Sequence, residues 1–169
     1  MPEFVYVMTY FFLLLGPKKL VPAFAWLTRD AEPGYRRKAA LYATLFATLL
    51  CAVIALLTNL WAAKYHLSLP SVQITAGLIL IIWSLDTIFR PSQAADEEGE
   101  TGSAVQLALS PLATPTIVTP AGVAAIMVTI LFATAAPDSE EIYASVAIAL
   151  AIVMTLNFLT MYFIEVITR

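Results

Sequence analysis

The sequence predicts an all-α polytopic membrane protein with about five transmembrane helices, two of them broken. Three observations predict it. Of the 169 residues, 60% are hydrophobic and only 12% are charged, about half the ordinary charged share. The mean hydropathy of +0.84 is far above that of a soluble domain. The apolar residues also fall in continuous runs near the roughly 20 residues that a helix needs to cross a bilayer. Such runs are helices, because backbone polar groups in hydrocarbon must be satisfied within the segment. The period-two alternation of a membrane β-barrel is absent.

The first run spans Phe4 to Leu27 and is interrupted at Gly16-Pro17-Lys18-Lys19 and at Pro22. It reads as a retained span. Met1-Pro2-Glu3 lacks the positive start of a secretory signal, although Ala23-Phe24-Ala25 is faintly like a cleavage site. The second run, Ala39 to Ala63, is unbroken. A connection from Lys64 to Pro70 leads to the third, Val72 to Phe89. A polar stretch follows, with Asp96, Glu97, Glu98 and Glu100. The fourth run, Ala104 to Ala136, is broken by Pro111, Pro115 and Pro120 and is longer than one span requires. That leaves room for a half-helix hairpin that dips in and returns. The last run extends from Tyr143 to Ile167.

The expected organisation is one membrane domain over 1–169. It divides into a first repeat of three spans (1–90), an acidic cytoplasmic loop (91–103) and a second, incomplete repeat (104–169). Orientation follows from the Lys/Arg bias. Arg29, Arg36, Arg37 and Lys38 crowd the first connection, Lys64 stands alone in the second, and 137–141 has none. This places the N-terminus outside and the C-terminus in the cytoplasm, in a bacterial inner membrane.

Several classes are excluded. No basic stripe could track a phosphate backbone, so nucleic acid is not a partner. The single cysteine, Cys51, precludes an intrachain disulfide. No His/Cys/acid cluster has metal-ligand spacing, and no phosphate loop or nucleophile arrangement stands out. The expectation is a non-enzyme without cofactor or metal.

The two proline breaks correspond. Gly16-Pro17 and Thr119-Pro120 each put a small or polar residue before a proline inside an apolar run, 103 residues apart. Three expected crossings separate them, so the copies point in opposite directions, as in an inverted repeat. Proline removes an N–H and frees a carbonyl one turn back. A half-helix starting there presents free N–H groups and a positive dipole end. Two such ends meeting near the midplane would hold a carboxylate or another polar group. The candidate binding residues are Gly16, Pro17, Lys18, Lys19, Thr114, Pro115, Thr119, Pro120 and Gly122.

Lys18 and Lys19 have two readings: attraction of an anion at a wet cavity, or snorkelling from a span that ends near Leu15. Asp86 is a local partner of Arg90, a partner for Lys18 or Lys19, or a proton-coupling carboxylate. Asn157, midway along the last span, is either an interhelical hydrogen-bonding group or part of a gate. Gly77 is expected to permit close helix contact. Trp26, Trp61, Tyr65 and Tyr6 suit interfacial belts.

The chain resembles the MarC family of integral membrane proteins, within the group that includes the LysE-type exporters. The resemblance rests on Phe11 through Pro17, Pro22-Ala23-Phe24, Arg36-Arg37-Lys38-Ala39, Thr75 through Leu80 with Asp86, and Ser110-Pro111-Leu112-Ala113-Thr114-Pro115 followed by Thr119-Pro120-Ala121-Gly122. Both breaks depart from the family pattern, which usually reads Asn-Pro at the first and Gly-Pro-Gly at the second. The resemblance implies a three-plus-three inverted repeat, here ending one span short. It implies movement of a small polar or anionic solute, outward and powered by an ion gradient. The partners expected are the lipid bilayer and either a second copy of the chain or another membrane protein filling the place of the sixth helix. In the latter case the chain would be a non-transporting subunit.

Overall fold

The computed structural model describes residues 2–29, 31–89, 105, 108–137 and 139–164. The expected acidic loop at 91–103, Arg90 and Glu165 lie outside the described residues. Helix α1, Pro2–Leu15, stops because Pro17 cannot donate and pushes the residue before it out of the helical region. Gly16 is extended there, with φ −73° and ψ 170°. The chain turns through a short 3₁₀ segment, Pro17–Lys19, and resumes as α2, Leu20–Leu27. Thr28 closes α2 by giving both its N–H and its hydroxyl to the Phe24 carbonyl, at 3.0 and 2.7 Å.

Helix α3, Pro33–Tyr65, has 33 residues. It starts with proline in its first turn and ends on His66, whose left-handed backbone (φ 49°, ψ 44°) returns an N–H to Ala62. The next connection is shorter than the sequence suggests. Ser68 caps α4, Leu69–Phe89, with its carbonyl accepting from Val72 N at 3.2 Å.

The fourth apolar run is not one α-helix. Residues Ala108–Ile117 form a π-helical segment, here π1, and Val118 N reaches back five residues to Ala113 O at 2.9 Å. Pro111 and Pro115 each withhold a donor and crowd the turn before them, so the wider turn relieves a tight one. After a second break at Val118-Thr119 comes α5, Pro120–Ala135, then α6, Ser139–Tyr162. Four stretches among the described residues are helical, long and apolar enough to span a membrane: Phe4–Leu27, Gly34–Ala62, Leu69–Asp86 and Ser139–Tyr162. Pro120–Ala135 is a shorter apolar helix.

Packing follows membrane logic, in which small residues let backbones approach. Ala39, Ala40, Ala43, Ala47 and Cys51 are the buried stripe of α3, while Leu41, Leu45, Leu49, Leu56 and Leu60 are exposed. The stripe faces π1, α5 and α6. Helix α5 lies at the centre, against α1, α3, α4 and α6, and buries Ala121, Ala125, Ile126, Leu131 and Ala133. Helix α4 leans on α5 through buried Ala76. Gly77 is not the close contact expected of it. A Cβ there would meet nothing within 4 Å, because the neighbouring Ala76 points inward instead.

Candidate functional site

The two helix breaks meet in the core, and Leu15 joins them. Leaving the helix at Gly16 strips the Leu15 carbonyl of the donor that a continued helix would supply. Asn157, on α6 and fully buried, donates its Nδ2 to that carbonyl at 2.8 Å. The Leu15 side chain, 1% exposed, covers the first turn of α5. A Cβ added to Gly122 would lie 2.4 Å from Leu15 Cδ2. Gly122 is therefore glycine because a leucine from the first break occupies the space of its side chain.

Thr119 organises the other side. Its backbone is extended (φ −79°, ψ 156°), and its Oγ1 accepts from Gly122 N at 3.1 Å. Its carbonyl accepts from Val123 N at 2.9 Å. Pro120 fills the first helical position, where a missing N–H costs least. The positive end of the 16-residue α5 thus begins inside the protein, beneath Leu15. Gly16 is constrained differently: a Cβ there would lie 2.0 Å from the Phe12 carbonyl oxygen of its own helix.

Of the candidates, Gly16, Thr119, Gly122 and Asn157 come together through Leu15, and all four are buried. Pro17 is half-buried, whereas Lys18, Thr114, Pro120 and Asp86 are exposed. The side chains of Lys19 and Pro115 lie outside the described residues, as does Arg90, the local partner expected for Asp86. Sequence reasoning passed over Leu15 itself. The available signal was chemical: a Gly-Pro break strands the carbonyls just before it, and a mid-span Asn is a donor able to reach one.

Two clefts lie elsewhere along the helices, and neither is lined by Leu15, Gly16, Thr119, Gly122 or Asn157. One, of about 450 Å³, lies between α3, α5 and α6 and is lined mostly by apolar groups around Cys51 and Met154. The Tyr143 hydroxyl, also on its wall, donates to Asn59 Oδ1 at 2.9 Å. The other, of about 380 Å³, is bounded by Tyr6, Tyr10, Gln73, Thr129 and Phe132. Among the described residues no cluster of His, Cys, Asp or Glu could hold a metal ion.

Comparison with known proteins agrees with a membrane protein. The UPF0056 membrane protein MJ1677 of Methanocaldococcus jannaschii is 28% identical over 158 residues, covering 91% of this chain and 74% of that protein. No solved structure matches the chain. The profile of the MarC family integral membrane proteins matches residues 1–169. With apolar helices of membrane-crossing length and a match along its whole extent, the chain belongs to the MarC family of integral membrane proteins.

Proposed function

We propose that this chain is a membrane transport protein that moves a small polar or anionic solute past the meeting point of its two helix breaks. The observation that carries the reading is the seat of the Leu15 side chain on Gly122. One apolar side chain separates the first break from the positive end of α5, where an anionic oxygen gains from the helix dipole. Displacing the Leu15 side chain from Gly122 would open that end.

In this reading the breaks belong to an inverted repeat, and the breakpoint residues from Gly16 to Lys19 and from Thr114 to Gly122 form the path. Exposed Lys18 draws anions toward it. Asp86 is the candidate coupling group. The Lys/Arg bias supports an N-terminus outside and a C-terminus inside a bacterial inner membrane, with a second copy of the chain as neighbour.

The test is solute flux in proteoliposomes. Vesicles holding the purified chain are loaded with a panel of radiolabelled small carboxylates and inorganic phosphate. Protein-dependent efflux that Leu15→Trp abolishes is the expected result. No flux of any member, together with a fixed heteromeric partner in native mass spectrometry, would make the chain a non-transporting subunit and sink the reading.

A further inference from the structure

Asn157 carries a polar atom that its surroundings leave unused. Its side chain is 0% exposed, and Nδ2 is committed to the Leu15 carbonyl. That bond sets the orientation of the amide, since turning it over would oppose one carbonyl to another. Oδ1 consequently faces away from the Leu15 carbonyl, buried and without a hydrogen-bond partner among the described residues. Leu15, which Asn157 bonds, and Val153 and Met161, one turn before and after it on α6, all belong to the apolar core.

A buried acceptor of this kind calls for a donor. One neutral oxygen is too few for a metal ion, which takes several oxygen ligands. A full ammonium charge would be desolvated in an apolar core against a single neutral acceptor, an unfavourable exchange. The chemistry that fits is a neutral O–H or N–H. We propose that Asn157 Oδ1 is a recognition contact that selects a neutral hydroxyl or amide N–H group on the solute, in addition to whatever group meets α5. This rests on the junction being the solute path. A lone bound water has the same donor chemistry, and the experiment separates the two.

The probes are glycolate and its O-methyl counterpart, methoxyacetate, which share a carboxylate and differ in the donor. Both are titrated into the full chain in nanodiscs, with calorimetry as the readout. The infrared stretch of an isotope-labelled Asn157 side-chain carbonyl is followed in parallel. The expected result is at least tenfold tighter binding of glycolate by the native chain, with the carbonyl stretch moving down on glycolate and not on methoxyacetate. Asn157→Leu should bind both alike. Equal binding by the native chain, binding of neither, or a preference that survives in Asn157→Leu would overturn the proposal. So would a stretch already at the hydrogen-bonded position without solute and unmoved by glycolate, which assigns the atom to water. Should Asn157→Leu not fold, the infrared comparison on the native chain decides alone. Failure of the transport reading looks different: glycolate preference intact, but no flux in proteoliposomes.

Discussion

The side-chain amide of Asn157 donates to the backbone carbonyl of Leu15 at 2.8 Å, joining positions 142 residues apart in sequence. The bond fastens the end of α1 to the C-terminal third of α6. It also supplies, from another helix, the donor that the Gly16-Pro17 break takes away. Removing it strands a buried carbonyl, a change typically worth about 1–3 kcal/mol, and less where the membrane-unfolded chain finds other partners. We expect Asn157→Ala to destabilise by about 1–2 kcal/mol, read from equilibrium unfolding in detergent or bicelles. A loss below a few tenths of a kcal/mol would mean that the bond contributes nothing net.

Leu15 and Gly122 should be energetically coupled. Gly122→Ala forces Leu15 to shift within a filled core, an overpacking of about 1–3 kcal/mol. Leu15→Ala opens a cavity and costs about 2–5 kcal/mol. Combined, the new methyl group occupies part of the vacated space, so the double variant should be more stable than the sum of the two losses predicts. A double-mutant cycle with no coupling would place the two residues apart.

Gly16 should tolerate less than Gly122. The obstacle at Gly122 is the end of a leucine side chain, which can move, whereas at Gly16 it is the Phe12 carbonyl oxygen. Gly16→Ala must therefore alter the backbone of the break. The expectation is a larger fall in thermal midpoint than for Gly122→Ala, with a lower yield of folded protein. The opposite order would contradict the described break geometry.

Thr119 caps the inner end of α5 through Oγ1. Thr119→Val keeps the shape and removes the acceptor, for a loss of about 1 kcal/mol. Thr119→Ser keeps the acceptor and should retain most of the stability. Unfolding measurements that rank Ser below Val would show that the methyl group matters more than the cap.

Cys51 supplies a packing test. It is 1% exposed, on the wall of the α3–α5–α6 cleft. A charged, membrane-impermeant thiol reagent should leave it unmodified in the folded protein, while denaturation should expose it fully. Rapid labelling of the native chain would show a wetter cleft than the described one.

Part of this was legible in the residues. The positions of the breaks follow from Gly16-Pro17 and Thr119-Pro120, because proline and its predecessor cannot continue a helix whatever the surroundings. Asn157 stands out as a polar group midway along an apolar run. The inward role of Gly122 and the open space at Gly77 were not distinguishable, since both are glycines in apolar helices and only the neighbour decides which lacks room. The π-helical path of 108–117 was not legible either. Closely spaced prolines rule out a regular helix without specifying which irregular one replaces it.

By itself, the sequence determined that the chain is an all-α membrane protein with proline-broken spans. Apolar run length and the loss of backbone donors are local properties that lipid solvation makes decisive. Only the tertiary structure decided that the breaks meet, that Leu15 lies between them, and that Asn157 reaches the stranded carbonyl. Those relations depend on helix rotation and depth, which side-chain packing sets between segments more than a hundred residues apart.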